Sequence, residues 1–238
     1  MKAIILAAGA GTRLQSLTNG NPKCLLRIGS KTLIEHHLDA LQSHNITDII
    51  IVLGFKKEQI ISYVENFPFN FTFIENKEYL TTNTIYSLWL ARETMARSDF
   101  LYFNADVLAD KRIVKYLLDA EQKNILAINK ARCAEEEVKV ILNNEQIVEI
   151  GKQLDPHLCA GEFIGIGKFS VTSNEQFITC MQNYISHNEK NLFFEKAVND
   201  LCKIHPIYAL DVTHIPCIEI DFEEDYHRAV ALAQTHNL

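Results

Sequence analysis

The first half of this sequence alternates short apolar runs with longer segments of helical periodicity. β-rich runs of four or five residues lie at 3–6, 49–53, 71–74 and 100–103. Between them, the segments "TLIEHHLDALQSH", "KKEQIISYVENF" and "IYSLWLARETMAR" (85–97) repeat apolar residues three and four positions apart, as amphipathic helices do. Strands joined by helices of this length form right-handed βαβ units. We therefore expect an α/β protein with a mostly parallel, Rossmann-like sheet and helices on both faces.

The pattern changes after about residue 135. "EVKVILNNEQIVEIGKQL" predicts a β-hairpin, and "EFIGIGKF" predicts another strand. No linker, repeat or low-complexity segment divides the chain, so we predict a single domain over 1–238 with a small β-containing C-terminal lobe. The remaining predicted elements are helices near 173–187 and 193–203, strands around 206–210 and 217–220, and a helix through "EEDYHRAVALAQT".

Charge is distributed unevenly along the chain. The formal net charge is -7, with 30 acidic and 23 basic residues, which argues against a nucleic-acid partner. Five basic residues nevertheless precede the first acidic one, Glu35, and these are Lys2, Arg13, Lys23, Arg27 and Lys31. A small anionic ligand explains such a cationic segment in an acidic protein, and chance clustering on a solvated surface is the alternative.

The composition also bears on location. No run approaches the ~20 apolar residues that span a membrane, and the first apolar run is too short for a signal peptide. The six cysteines are scattered, without a CxxC pair, which is typical of reduced thiols. We expect a cytoplasmic protein without a membrane partner.

The first predicted strand leads into the glycine-rich loop "LAAGAGTRL". Glycines after a strand allow backbone N–H groups to approach a phosphate. The dinucleotide-binding fingerprint needs a third glycine where this chain has Leu14, and the Walker A pattern is absent. What remains is L-x-A-G-x-G-x-R, followed by Pro-Lys, whose lysine lies ten residues beyond the arginine.

This pattern resembles the nucleotidyltransferase family of sugar-nucleotide pyrophosphorylases, which implies the nucleotide-diphospho-sugar transferase fold. The resemblance implies that Arg13 and Lys23 neutralise a nucleoside triphosphate during catalysis. A tight βα turn containing two glycines is the alternative interpretation of the loop. The residues that the resemblance places along the nucleotide are Leu6, Ala7, Ala8, Gly9 and Gly11.

Two aspartates follow predicted strands that are far apart in sequence. Asp106 lies in "LYFNADV", and Asp221 lies in "CIEIDFEEDY". Nucleotidyl transfer requires Mg²⁺, which prefers carboxylate and phosphate oxygens. The resemblance implies that this pair binds the metal, and a helix cap or turn is the alternative role for either residue. We expect Asp110 to be the N-cap of the helix in "KRIVKYLLDA".

The segment "TTNTIYSLWLARE" replaces the "GTA"-like run of the sugar-1-phosphate members. It is similar to the N-x-IYSL segment of the bacterial choline-phosphate cytidylyltransferases and of their relatives that act on aminoethylphosphonate. This implies that Asn83 and Ser87 face the nucleotide and that the base is cytosine, although Asn83 could instead only cap the helix. We expect Trp89 to lie in the core.

The similarity extends over nearly the whole chain, so 1–135 is the expected nucleotide-binding half and 136–238 the acceptor-binding half. Lys139 and Lys152 are candidate phosphate contacts, Glu162 a candidate acceptor contact, and Glu195 a candidate partner for an amine. A solvated charge is the alternative for each of the four. The choline-phosphate relatives carry a Trp where this chain has Phe193-Phe194, which disfavours choline itself.

The predicted function is therefore a cytidylyltransferase that joins CTP to a small phosphate or phosphonate headgroup and releases pyrophosphate. One alternative is a sugar-1-phosphate nucleotidyltransferase that uses UTP, GTP or dTTP. Another is a non-catalytic nucleotide-binding module, although binding alone would not require both carboxylates. A homodimer is left open.

Overall fold

A computed structural model of the chain describes residues 1–130, 133 and 135–238. The strands are, in chain order, β1 (Lys2–Ala7), β2 (Arg27–Ile28), β3 (Lys31–Thr32), β4 (Asp48–Leu53), β5 (Asn70–Glu75), β6 (Phe100–Asn104), β7 (Val107–Ala109), β8 (Ile125–Asn129), β9 (Lys139–Asn143), β10 (Gln146–Gly151), β11 (Gly161–Phe169), β12 (Tyr208–Asp211) and β13 (Cys217–Glu219). The helices are α1 (Gln15–Thr18), α2 (Leu33–Gln42), α3 (Lys57–Val64), α4 (Thr84–Leu90), α5 (Arg92–Met95), α6 (Arg112–Asp119), α7 (Val171–Ser186), α8 (Glu195–Cys202) and α9 (Glu223–His236). Short 3₁₀ turns lie at Thr12–Leu14 and Lys23–Leu25.

The main sheet has the strand order β5-β4-β1-β6-β11-β8-β12-β10-β9. Its first four strands are parallel, as the βαβ rhythm of the sequence predicts. β11 then runs antiparallel between β6 and β8, so the sheet as a whole is mixed. The predicted hairpin is present as β9 and β10, and it extends the same sheet at its far end. The predicted α/β fold class is confirmed, with four consecutive parallel strands from the N-terminal half and a further parallel pair, β8 and β12.

Side chains that alternate along each strand divide the core into two layers. In β1, Ala3, Ile5 and Ala7 pack into a cluster with residues of α2, α3 and α6. Ile4 and Leu6, on the opposite side of the strand, pack with residues of α4, α5, α7 and α8. Helices therefore cover both faces of the sheet, as predicted. A third cluster packs α9 against β2 and the start of α2.

No helix in the described chain combines the length and apolarity needed to cross a bilayer.

Two local expectations need correction. The helical pattern over 85–97 forms two helices, α4 and α5, which are separated at Ala91. Trp89 lies at the edge of the core and not within it: its indole N–H donates to Gln182 at 2.9 Å, and its face contacts the guanidinium of Arg92, 3.9 Å from the ring centroid.

Asp110 makes the predicted capping interaction, although the residue at the N-cap position is its neighbour Lys111. Helix α6 begins at Arg112, so the N-cap position is Lys111, whose side chain makes no capping bond. The Asp110 carboxylate accepts the backbone N–H of Arg112 at 2.8 Å and also the Arg112 guanidinium at 2.8 Å. It therefore satisfies a free N–H group at the start of the helix, as an N-cap residue does.

The carboxyl ends of the parallel strands meet along one edge of the sheet, where ligands bind in sheets of this kind. The loops after β1 and β4 are in direct contact there, since the N–H of Phe55 donates to the carbonyl of Ala8 at 3.0 Å. A Cβ atom at Gly54 would lie 2.6 Å from that carbonyl oxygen and 2.7 Å from the Cβ of Tyr79. Only glycine fits this approach without a shift of backbone.

Gly54→Ala should therefore lower the free energy of unfolding by about 1–3 kcal/mol, because the added methyl group overpacks a backbone contact. Gly9→Ala is the matched control, since a Cβ there has nothing within 4 Å, and its effect should stay below about 0.5 kcal/mol. Urea denaturation of both variants makes the comparison. Equal effects of the two substitutions would contradict the close approach described here.

Candidate active site

A cleft of about 300 Å³ lies at this edge of the sheet. A smaller cavity of about 120 Å³ adjoins it and shares Leu6, Gly9 and Asp106 with it. The predicted site residues that line the main cleft are Leu6, Ala8, Gly9, Arg13, Asn83, Ser87, Asp106, Lys152, Glu195 and Asp221. Those that line the smaller cavity include Ala7, Gly11 and Lys23. The structure thus gathers residues from both halves of the sequence in one place.

Lys23 lies between the two aspartates that the sequence predicts as metal ligands. Its ammonium donates to Asp106 and to Asp221, at 2.8 Å in each case, and its side chain is only 12% exposed. Burial alone would lower the pKa of Lys23, but the two carboxylates outweigh it and raise the pKa above the ordinary value. Lys23 is therefore a fixed positive charge at this end of the cleft.

A third carboxylate, Glu219, joins the pair. Carboxylate oxygens of Asp106, Glu219 and Asp221 lie within 4.8 Å of one another. The side chain is in part open to solvent, yet the cleft desolvates its carboxyl group, which together with the two aspartates raises the pKa of Glu219 to about 8. Three hard oxygen donors around one point suit Mg²⁺, so the residues present fit the predicted metal.

Sequence reasoning missed Glu219, although alternation along "CIEID" places it two residues before Asp221 on the same side of an extended chain. β13 pairs with β7 so that Glu219 lies opposite Val107, next to Asp106. The N–H of Ile220 also donates to the carbonyl of Asp106 at 3.1 Å. This pairing of remote strands brings the C-terminal acids to the end of β6.

Arg13 is a second cation close to Asp221. One guanidinium nitrogen lies 3.7 Å from the Asp221 carboxylate, and the guanidinium carbon lies 5.0 Å from the ring centroid of Phe222. The loop reaches this position through Gly11, which has a φ of 56° and whose added Cβ would lie 3.0 Å from the Cβ of Lys23. Glycine is needed there for two reasons: the backbone is left-handed, and a side chain would crowd the Lys23 side chain, which lies directly against this position.

The start of α4 forms another part of the cleft. Asn83 is the N-cap of α4, accepting the N–H of Thr84 at 2.8 Å, and it also lines the cleft. Ser87 is held by Asn76, whose amide donates to the Ser87 hydroxyl at 3.0 Å and to Thr82 at 2.9 Å. Asn76 directly follows β5. Polar residues at the ends of other strands were identified from the sequence, and the same search at the end of β5 would have identified Asn76.

The predicted acceptor side is attached to α4 by hydrogen bonds. The N–H of Asn83 donates to the carbonyl of Lys190 at 3.0 Å, and the N–H of Ile85 donates to that of Leu192 at 3.2 Å. The N–H of Phe194 donates to the hydroxyl of Thr84 at 2.9 Å. These bonds position Glu195, the next residue, at the wall of the cleft.

Two predicted acceptor contacts are not brought to the cleft. The Lys139 side chain is buried, and its ammonium donates to the backbone carbonyls of Glu135 at 2.7 Å and Glu137 at 3.0 Å. Glu162 accepts a hydrogen bond from Asn129 at 3.2 Å, and burial beside Glu137 raises its pKa to about 7. Within the described residues, neither side chain belongs to the lining of the cleft, because β9 and β11 direct both into interior contacts.

Known proteins share this fold. The model of the nucleotidyl transferase family matches residues 2–139, which include the glycine-rich loop, Lys23, the start of α4 and Asp106. The chain belongs to the nucleotidyl transferase family.

Individual proteins of known activity and known structure are similar to this chain over nearly its whole length. The chain is 29% identical to a choline-phosphate cytidylyltransferase of Streptococcus pneumoniae, over the full length of both proteins. It is 27% identical to the CTP:phosphoglutamine cytidylyltransferase of Campylobacter jejuni, over 94% of this chain and 97% of that protein. The solved structure of the CTP:phosphocholine cytidylyltransferase LicC from S. pneumoniae matches with a TM-score of 0.79, covering 97% of this chain and 98% of that one. A UDP-glucose pyrophosphorylase shares the fold, with a TM-score of 0.77 at 18% identity, covering 99% of this chain and 98% of that one.

In the free protein, the Lys23 ammonium occupies the carboxylates that would bind a metal. Lys23→Met should therefore raise the affinity for Mn²⁺ in the absence of nucleotide by about tenfold or more, since the ion no longer has to displace a bound cation. Isothermal titration with Mn²⁺ measures this. Arg27→Met, which removes an exposed cation of the same segment, should leave the affinity unchanged. An unaltered affinity in Lys23→Met would contradict the competition.

Glu195 should make stability depend on pH. Burial raises its pKa to about 7 from an ordinary 4.5, and Lys152 offsets only part of the effect. Between these two values the folded state binds more protons than the unfolded chain, so stability falls as pH rises, by an amount of the order of 3 kcal/mol.

Glu195→Gln lacks this titration. Relative to the unmodified protein, its free energy of unfolding should rise from about pH 5 to about pH 8, as measured by urea denaturation at several pH values. Glu175→Gln, an exposed change on α7, should follow the unmodified protein throughout. Parallel pH profiles for Glu195→Gln and the unmodified protein would mean that Glu195 titrates normally.

Proposed function

We propose that this protein is a Mg²⁺-dependent cytidylyltransferase that joins CTP to a small phosphate or phosphonate headgroup and releases pyrophosphate. The observation that carries the proposal is the convergence of Lys23 with three carboxylates at one end of a cleft whose glycine-rich wall suits a nucleotide. The similarity to cytidylyltransferases over the whole chain supports it. A cytoplasmic location is part of the proposal, and a homodimer stays a prediction.

The chemistry needs little beyond alignment and charge neutralisation. An anionic oxygen of the acceptor attacks the α-phosphorus of CTP in line, a new P–O bond forms, and the bond to the β-phosphate oxygen breaks. Pyrophosphate leaves with the bonding electron pair. The attacking oxygen is already ionised, so no general base is required. Arg13 and Lys23 stabilise the charge that builds up on the triphosphate.

Asp106, Glu219 and Asp221 are the residues that would hold Mg²⁺, which supplies positive charge to the reacting phosphates. Lys23 then has a second task. With a metal on its carboxylates, the Lys23 ammonium would be free to face phosphates at the adjoining glycine loop, which lies beside it in the smaller cavity. Phosphate oxygens would there supply the negative charge that Asp106 and Asp221 supply in the free protein.

The α4 end of the cleft suits a pyrimidine base. Asn83 and Ser87 present an amide and a hydroxyl group there, which can pair with the carbonyl oxygen and amino group of cytosine. Both Ser87 and Thr82 are oriented by the buried Asn76 amide. The acceptor would lie at the opposite wall, with its phosphate toward Lys152.

A sugar-1-phosphate nucleotidyltransferase is the second candidate, because such enzymes share the fold. Pyrophosphate release from CTP, UTP, GTP and dTTP separates the two, with phosphocholine, phosphoethanolamine, aminoethylphosphonate and hexose-1-phosphates as acceptors. We expect CTP with one of the small phosphate or phosphonate headgroups to give a kcat/KM at least about tenfold above every combination that contains another nucleotide or a hexose-1-phosphate. Turnover confined to UTP and a hexose-1-phosphate would favour the second candidate.

The pyrophosphate-release assay also tests the catalytic role proposed for Lys23. Lys23→Ala should lower kcat by about two to three orders of magnitude, because it removes a charge that stabilises the transition state. Arg27→Ala is the control and should retain full turnover. Circular dichroism and urea denaturation verify that both variants fold. Near-normal turnover of a folded Lys23→Ala variant would refute the assignment.

A further inference from the structure

Glu195 is a buried acid whose bonding is incomplete. It begins helix α8 and is 5% exposed, and its Oε2 atom has no hydrogen-bond partner among the described residues. A carboxyl oxygen that is removed from water and left unpaired costs free energy. The residue nevertheless stands at the wall of the cleft. A ligand that brings an N–H donor would complete its bonding.

A side pocket leads away from the cleft at this point. It has a volume of about 260 Å³ and shares Val138, Lys152, Phe193 and Glu195 with the cleft. Ile150 and Leu192 add apolar surface to its walls. The pocket therefore offers one acidic group, an apolar wall, Lys152 at the junction with the cleft and a second lysine, Lys196, in its own lining.

The charges of the pocket set the orientation of a ligand. The Lys152 ammonium lies 5.1 Å from the ring centroid of Phe193, at the junction of the two cavities. A phosphate there would face the cleft that contains Asp106 and the glycine loop, as an attacking group must. The other end of the ligand would then face Glu195. This arrangement suits a small molecule that is anionic at one end and carries N–H groups at the other.

The pocket is poorly suited to a quaternary ammonium. A trimethylammonium group has no N–H to donate and is held by several aromatic faces. Among the described residues, Phe193 is the one aromatic side chain common to the cleft and the side pocket, and the Lys152 ammonium already lies over its ring. A primary ammonium or a carboxamide instead donates N–H groups that match the unpaired Glu195 oxygen.

We propose that Glu195 is a specificity-determining residue that selects acceptors bearing an N–H donor, a primary ammonium or a carboxamide, over acceptors with a quaternary ammonium. This inference rests on the proposed cytidylyltransferase function. It assigns to the side pocket the part of the acceptor farthest from the phosphate. Burial also raises the pKa of Glu195 to about 7, as expected where the partner is supplied by the ligand.

A graded series of acceptors tests the proposal. Phosphoethanolamine and its N-methyl, N,N-dimethyl and N,N,N-trimethyl forms keep one carbon chain and one positive charge while the N–H groups are removed one by one. With CTP, kcat/KM for pyrophosphate release should fall at least tenfold over the series, with the largest single step at the last methyl group. The phosphate ester of glycolamide, as a further arm, carries a carboxamide and no ammonium, and its turnover should exceed that of phosphocholine.

Glu195→Gln tests the residue itself. The variant should raise the KM for phosphoethanolamine at least tenfold, change the KM for phosphocholine less than threefold, and leave CTP affinity by isothermal titration unchanged. Glu175→Gln should alter none of these values. The unchanged CTP affinity also establishes that the variant is folded.

The possible failures are distinguishable. Pyrophosphate release that is as fast with phosphocholine as with phosphoethanolamine, or an acceptor ranking that Glu195→Gln leaves unaltered, would overturn this inference and leave the cytidylyltransferase function standing. Absence of CTP binding, together with absence of release from every acceptor, would overturn the proposed function and this inference with it.

Discussion

The site depends on one ammonium group held between two carboxylates. Lys23 contacts Asp106, 83 residues away, and Asp221, 198 residues away, so a single side chain ties the opening loop to the ends of β6 and β13. Buried charges of either sign are unfavourable unless they are paired, and each of the three groups therefore requires the others. With Glu219 and Arg13 added, three carboxyl groups stand beside two cations, and the raised pKa of Glu219 leaves the cluster close to neutral in the free protein. A divalent cation would favour the ionised form of all three carboxyl groups, which makes the cluster a fitting place for it.

The other wall of the cleft depends on backbone hydrogen bonds. The start of α4 and the segment before α8 are joined by two such bonds and by a third from the Phe194 N–H to the Thr84 hydroxyl, and Phe194 is packed against Tyr102 with ring centroids 4.4 Å apart. The parts of the cleft suited to a base and to an acceptor are therefore positioned against one another by rigid contacts. Glu195, which follows Phe194 directly, remains in a buried position because its neighbour is anchored in the core.

Much of the fold could be predicted because it is encoded by local periodicity. The four parallel strands and the β9–β10 hairpin were expected from runs of apolar residues and a turn, and the glycine-rich loop was expected from its motif. Where packing competes with local pattern, prediction was weaker. The helix expected over 85–97 is divided at Ala91, and the face of Trp89 is covered by Arg92 at the edge of the core. Glu219 and Asn76 were missed because the argument followed single strand ends and did not include each neighbouring strand.

Three lysines illustrate what the sequence determined and what it left to the tertiary structure. The sequence determined the local features: which residues end each strand, where glycine permits a close turn, and that a cationic segment opens an acidic chain. Lys23, Lys152 and Lys139 are alike assigned to phosphates from the sequence, yet in the structure one bridges two carboxylates, one lies over Phe193, and one donates to backbone carbonyls in the interior. Only the tertiary structure decided these outcomes, because the state of a charge depends on the groups that surround it in space, and those groups come from distant parts of the chain.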